Sequence, residues 1–133
     1  MFHIDHYAIS VKDADKSIAF YSKLNFYITK DWTAEDGSVR IVQMSNSGFI
    51  LEMFCYPDSS ALPDHCKELN TDLKVKGSKH MGLWVKDLQE AADHLLEIGL
   101  VTTKPVISHG RLGRDYFFIK DPDGIFVEII AAR

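Results

Sequence analysis

The sequence predicts an α+β fold made of two βαβββ modules, and two internal echoes carry that expectation. The stretch IDHYAISVKD (residues 4–13) returns as SKHMGLWVKD (residues 78–87), with histidine, valine, lysine and aspartate at the same offsets. Two apolar runs, GFILEMF and GIFVEII, each place a glutamate four residues after a glycine, at Glu52 and Glu128. A chain that repeats both its opening and its closing strand is expected to use one structural unit twice.

Each element of the unit has its own signal. In the opening strands Tyr7, Ile9 and Val11, and likewise Met81, Leu83 and Val85, alternate with smaller or polar residues, the period of a half-buried strand. Next come ADKSIAFYSKLNF, with Ala14, Ile18, Tyr21 and Leu24 at helical spacing, and LQEAADHLLEIGL, with Leu88, Ala92, Leu95 and Ile98 at matching offsets. Asp13 and Asp87 stand where a carboxylate accepts from the free amides of a first turn, and Asn25 and Gly99 suit the left-handed residue past a helix end. Three extended segments follow each helix: FYITKDWTA, SVRIVQMSN and FILEMFCY, then VTTKPVISH, DYFFIKD and IFVEIIA. SNSG and DPDG supply the turns before the last strands. The whole chain reads as one domain, 1–133, with module 1 over about 1–56, a turn-rich linker over about 57–79 and module 2 over about 80–133.

Composition narrows the function classes. With 46% apolar residues the 133-residue chain has enough to bury a core. A formal charge of −4, with lysines scattered among the acids, forms no basic stripe for a nucleic acid or an anionic membrane. The first ten residues carry charge and histidine where a secretory signal needs an apolar run, so the expectation is a cytoplasmic protein. Cys55 and Cys66 fit no metal-finger spacing and read as reduced thiols.

Strand alternation then sorts faces. The apolar sets of the opening and closing strands point toward the helices, which leaves His6, His80, Glu52 and Glu128 on the opposite face. His6 precedes Glu52 by 46 residues and His80 precedes Glu128 by 48, so the repeat nearly superimposes the pairs. A carboxylate in an apolar strand needs a partner, and two imidazoles with two carboxylates suit one divalent ion of intermediate hardness: Ni, Zn, Mn, Fe or Co.

The doubled module, opened by DHYAISVKD and KHMGLWVKD and closed by DPDGIFVEII, resembles the vicinal oxygen chelate superfamily, which includes glyoxalase I, extradiol dioxygenases and bleomycin-resistance proteins. The resemblance covers the chain apart from the linker. It implies an incomplete barrel around a metal-binding cleft, helices outside, with His6, Glu52, His80 and Glu128 as ligands. A His-Glu-His-Glu set is similar to that of glyoxalase I. The implied activity is that of a lyase or isomerase moving a proton through a metal-bound enediolate of a small α-hydroxy carbonyl compound or thiol adduct, with Glu52 or Glu128 as base. The alternative is a non-catalytic protein that sequesters a ligand or drug, as bleomycin-resistance members do. The arginine and asparagine with which short bacterial glyoxalase I grips glutathione are Ser10 and Tyr56 here. Arg111 and Arg114, in SHGRLGRDYFF, are candidates for holding a substrate carboxylate or phosphate, and Phe54, Tyr56 and Trp84 for its walls. Such modules commonly pair, so the expected partners are a small molecule and a second copy of the chain.

Overall fold

A computed structural model describes residues 1–133 and divides them into two compact units, Met1–Ala61 and Leu62–Arg133. In unit 1 a strand β1 (His6–Ser10) leads into helix α1 (Ala14–Ser22), followed by β2 (Tyr27–Thr33), β3 (Arg40–Asn46) and β4 (Phe49–Cys55). Unit 2 begins with a 3₁₀ turn (Asp64–Cys66) and a one-turn helix α2 (Leu69–Asp72). It then repeats the plan as β5 (Met81–Val85), α3 (Leu88–Glu97), β6 (Ser108–His109), β7 (Asp115–Lys120) and β8 (Phe126–Ala131). The sheets are open and four-stranded, ordered β1-β4-β3-β2 and β5-β8-β7-β6. In each the opening strand lies parallel to the closing one and the other pairs are antiparallel. The architecture is α+β, as the repeat predicts.

The face assignments hold in both sheets. Val11, Val42, Met44, Leu51 and Met53 are buried in unit 1, as are Phe117, Ile119, Val127 and Ile129 in unit 2. On α1 the buried residues are Ala14, Ser17, Phe20 and Tyr21; Ile18 is half-buried, as is Leu24, which lies past the helix end at Ser22. Tyr21 is fully buried with Phe20 and Phe26 edge-on to its ring. On α3, Leu88, Ala92 and Leu95 are buried as the spacing predicts.

The caps differ in strength. Asp87 accepts from two amides, Gln89 N at 2.8 Å and Glu90 N at 3.0 Å, whereas Asp13 accepts from Lys16 N alone at 3.1 Å. Asp87→Ala is therefore expected to cost about 1 kcal/mol and lower Tm by several degrees, with Asp13→Ala costing less. Thermal melts followed by circular dichroism check the order. Asn25 and Gly99 take the left-handed conformation at φ 65° and 69°.

Two segments depart from expectation. VTTKPVISH forms strand only at Ser108–His109; Pro105 has no amide to give a ladder, and the preceding residues run irregularly. β2 is exposed along its whole length because only β3 pairs with it, which leaves Tyr27, Ile28 and Trp32 open to solvent. A bulge between Ile28 and Lys30 interrupts it, and the extra residue, Thr29, donates its hydroxyl to the Gln43 carbonyl at 3.1 Å. No helix is long and apolar enough to cross a membrane.

Candidate functional site

Register places each glutamate. In unit 1 the β1–β4 pairing sets Ala8 beside Glu52; in unit 2 the β5–β8 pairing sets Gly82 beside Glu128. The histidines stand two residues before Ala8 and Gly82, so strand alternation brings each onto the face of its glutamate. His6 Nε2 lies 3.6 Å from Glu52 Oε1, and His80 Nε2 lies 3.5 Å from Glu128 Oε2. These separations are long for hydrogen bonds. Two donor atoms each about 2.0–2.2 Å from one ion stand roughly 3–3.5 Å apart, so both pairs have the spacing of atoms set to share a cation.

The surroundings of the two pairs differ. His6 Nδ1 is hydrogen-bonded to Asp5 Oδ2 at 2.8 Å, which presents Nε2 outward as a lone pair. That hydrogen bond raises the His6 pKa above its ordinary value, burial opposing it and Glu52 adding to it, so a proton competes with a cation there. Glu52 is held from the other side: Gln43, opposite it on β3, donates from Nε2 to Oε2 at 2.7 Å and leaves Oε1 toward His6. In unit 2 the residue opposite Glu128 is Phe118, which has no polar atom to offer. Its ring instead meets the His80 imidazole edge-on at 4.8 Å and continues through contacts with Tyr116 and Phe126. Packing fixes the His80 ring, whose buried Nδ1 has no hydrogen-bond partner.

The remaining candidates separate. Gly82, Trp84, Arg114, Glu128, Ile130, Ala132 and Arg133 line a cavity of about 610 Å³ on the site face of the unit 2 sheet. Arg111 sits on the exposed Gly110–Gly113 turn and does not line it. In unit 1 Phe54 is half-buried opposite Ile41, and Tyr56, just beyond β4, is exposed.

Sequence reasoning missed Gln43 and Asp5, whose roles follow from cross-strand register and from adjacency to His6. It also missed a second donor group in unit 2. A nitrogen of His65, Cys66 Sγ and an Asp72 carboxylate oxygen lie within 4.8 Å of one another, a group that could hold a metal. Lys79 already sits 3.3 Å from Asp72 Oδ1 and donates to the Asp72 carbonyl at 2.8 Å. Burial, and then the Asp72 carboxylate, push the Cys66 thiol up. A protonated thiol and a neighbouring ammonium both oppose a dication, and the cluster ties the segment before β5 to α2.

Comparison with known proteins places the fold. Residues 3–129 match the family described as the Glyoxalase/Bleomycin resistance protein/Dioxygenase superfamily. The chain is 30% identical over 128 residues to the uncharacterized protein YwkD of Bacillus subtilis (strain 168), covering 95% of this chain and 94% of that one. It is 22% identical over 126 residues to Glyoxylase I 4 of Arabidopsis thaliana, covering 95% of this chain and 68% of that one. Its fold is similar to that of a glyoxalase family protein from Enterococcus faecalis (TM-score 0.79, 24% identity, 96% of each chain). It is also similar to the trypanothione-dependent glyoxalase I of Leishmania major (TM-score 0.70, 20% identity, 98% of this chain and 87% of that one). Members of this superfamily typically bind a divalent metal. The doubled module, the strand order common to both sheets and the match over nearly the full length agree: this chain belongs to the glyoxalase/bleomycin resistance/dioxygenase superfamily, the vicinal oxygen chelate proteins.

Proposed function

We propose that the protein is a divalent-metal-dependent lyase or isomerase similar to glyoxalase I, acting by proton transfer on a small α-hydroxy carbonyl compound or a thiol adduct of one. The observation that carries the reading is an imidazole and a carboxylate oxygen at the spacing of two donors to one cation, which recurs in each module. We propose His6, Glu52, His80 and Glu128 as the metal ligands. Nickel, zinc, manganese, iron and cobalt all suit these donors. Such an ion, bound by the two vicinal oxygens of the substrate, would acidify the C–H of the hydroxyl-bearing carbon next to the carbonyl.

The proton then needs a carboxylate free to take it, and the two glutamates are not equivalent. Gln43 anchors Glu52, whereas Glu128 lies across from Phe118, which offers it no hydrogen bond, with its Oε2 over Gly82. We assign Glu128 as the base that moves between ligand and proton acceptor, and Glu52 as the steadier ligand. The exposed apolar side chains of β2 support a homodimer in which a second copy covers them. Sedimentation showing only monomer at micromolar concentration counts against it.

Metal analysis of protein purified without added metal, followed by solvent-deuterium exchange into a panel of α-hydroxy carbonyl compounds, tests the function. Bound divalent metal and exchange at the hydroxyl-bearing carbon, α to the carbonyl, are expected. A metal-free protein that binds panel members without exchange is a sequestering protein, and the proposal then fails. The glutathione hemithioacetal of methylglyoxal is expected to be a poor substrate, because Ser10 and Tyr56 lack the anion-gripping chemistry of arginine and asparagine. Loss of a charge-assisted hydrogen bond corresponds to roughly tenfold to hundredfold in affinity. Activity within a few-fold of a bacterial glyoxalase I assayed alongside defeats that expectation.

A further inference from the structure

We propose that the unit 2 cavity selects substrates carrying an anionic group remote from the reacting oxygens, with Arg114 as the partner of the anion and Trp84 as the wall along the spacer. The inference rests on the metal reading for one pole of the substrate; the other pole is a property of the cavity alone. At one end of the lining stands Glu128, with His80 beside it. At the other end Arg114 is fixed, its Nε donating to the Ala131 carbonyl at 2.8 Å and its Nη2 donating to the same oxygen. That acceptor is uncharged, so the clamp orients the guanidinium without neutralising it, and the N–H groups left over remain for a ligand. A fork held in this way binds a carboxylate with little further loss of side-chain freedom.

Between the poles the lining is apolar. Ile130 follows Glu128 on the same face of β8, and Trp84 stands beside Ile130 in the β5–β8 register. The Trp84 side chain is 64% exposed, a large apolar surface left open between a carboxylate and a guanidinium. An apolar wall with a few convergent polar groups at its ends is the usual make-up of a small-molecule site. Three residues of strand separate Glu128 from Ala131, about 10 Å at the usual rise. The reach of the two side chains shortens that gap without closing it. A two- or three-carbon hydroxy carbonyl compound cannot touch both ends, whereas one extended by a short alkyl or aryl spacer to a carboxylate can.

The test uses hydroxamates, which chelate through vicinal oxygens, on metal-loaded protein by isothermal titration calorimetry. One series ends in carboxylate and the other in methyl, each with about two to about eight methylenes between the ends. The carboxylate series is expected to bind more tightly than the methyl series by about tenfold or more at an intermediate length. That advantage should vanish in Arg114→Met while the methyl series keeps its affinity, which also shows that the variant is folded. Trp84→Ala should weaken both series. Equal binding of the two series at every length, or a carboxylate advantage that survives Arg114→Met, overturns the proposal while leaving the metal reading intact. Failure of both series to bind, together with failure to take up metal, overturns the metal reading and the inference with it.

Discussion

Glu128→Gln is expected to lower turnover by about 10²–10⁴-fold and to weaken metal binding, with the far-ultraviolet circular dichroism unchanged. The amide keeps the size of the side chain but loses the negative charge that holds a dication and the basicity that accepts a proton. Glu52→Gln separates the two roles. With Glu52 as a steady ligand, its loss is expected to lower occupancy and to be partly restored by excess metal, whereas excess metal should not restore Glu128→Gln. Metal content and solvent-exchange rate, measured on both variants at matched occupancy, decide between the assignments. If both variants hold metal at wild-type occupancy, neither glutamate is a ligand.

Neighbouring phenylalanines on β7 give the second large effect. Phe117 points to the helix side and is 2% exposed, so Phe117→Ala leaves a cavity in the unit 2 core and is expected to cost about 3–5 kcal/mol. For a domain stable by about 5–15 kcal/mol that is a large share, visible as a lowered urea midpoint. Phe118 points the other way, onto His80. Phe118→Ala is expected to lower the midpoint less and to weaken metal binding, because the His80 ring loses the packing that fixes it. A Phe118→Ala protein as destabilised as Phe117→Ala would show the face assignment to be wrong.

That face assignment was legible in the sequence because a period of two, read over four strands, leaves little choice once one apolar set is buried. The caps were legible for a similar reason: Asp13 and Asp87 precede their helices directly, and the relevant amides follow within three residues. What could not be read depends on pairing between strands. Nothing local marks Gln43 as the residue across from Glu52, or Phe118 as the one across from Glu128; register decides both. The difference between Arg111 and Arg114 is of the same kind. Three residues apart in a glycine-containing loop, they look alike until the Ala131 carbonyl is seen to hold one of them. On α1 the spacing found Ala14 and Tyr21 but missed Ser17 and Phe20, and it ran on to Leu24 although the helix ends at Ser22.

The open edges of the sheets bear on the kind of assembly the chain can form. β6 is two residues long, too short to template another strand. β2 offers seven residues with one row of amides and carbonyls unpaired. An edge of that length can recruit the same edge of another molecule, and such contacts can propagate into fibres. Two features inside the strand resist this: the bulge at Ile28–Lys30, which twists the edge, and the adjacent charges of Lys30 and Asp31. Arg40 grips Asp31 from β3 with two hydrogen bonds of 2.8 and 2.9 Å, which holds that charge in place. The aromatic side chains of β2 can still be covered by a two-fold copy, and a two-fold contact closes on itself. The bulge and the paired charges of β2 therefore act against open-ended strand addition at this edge.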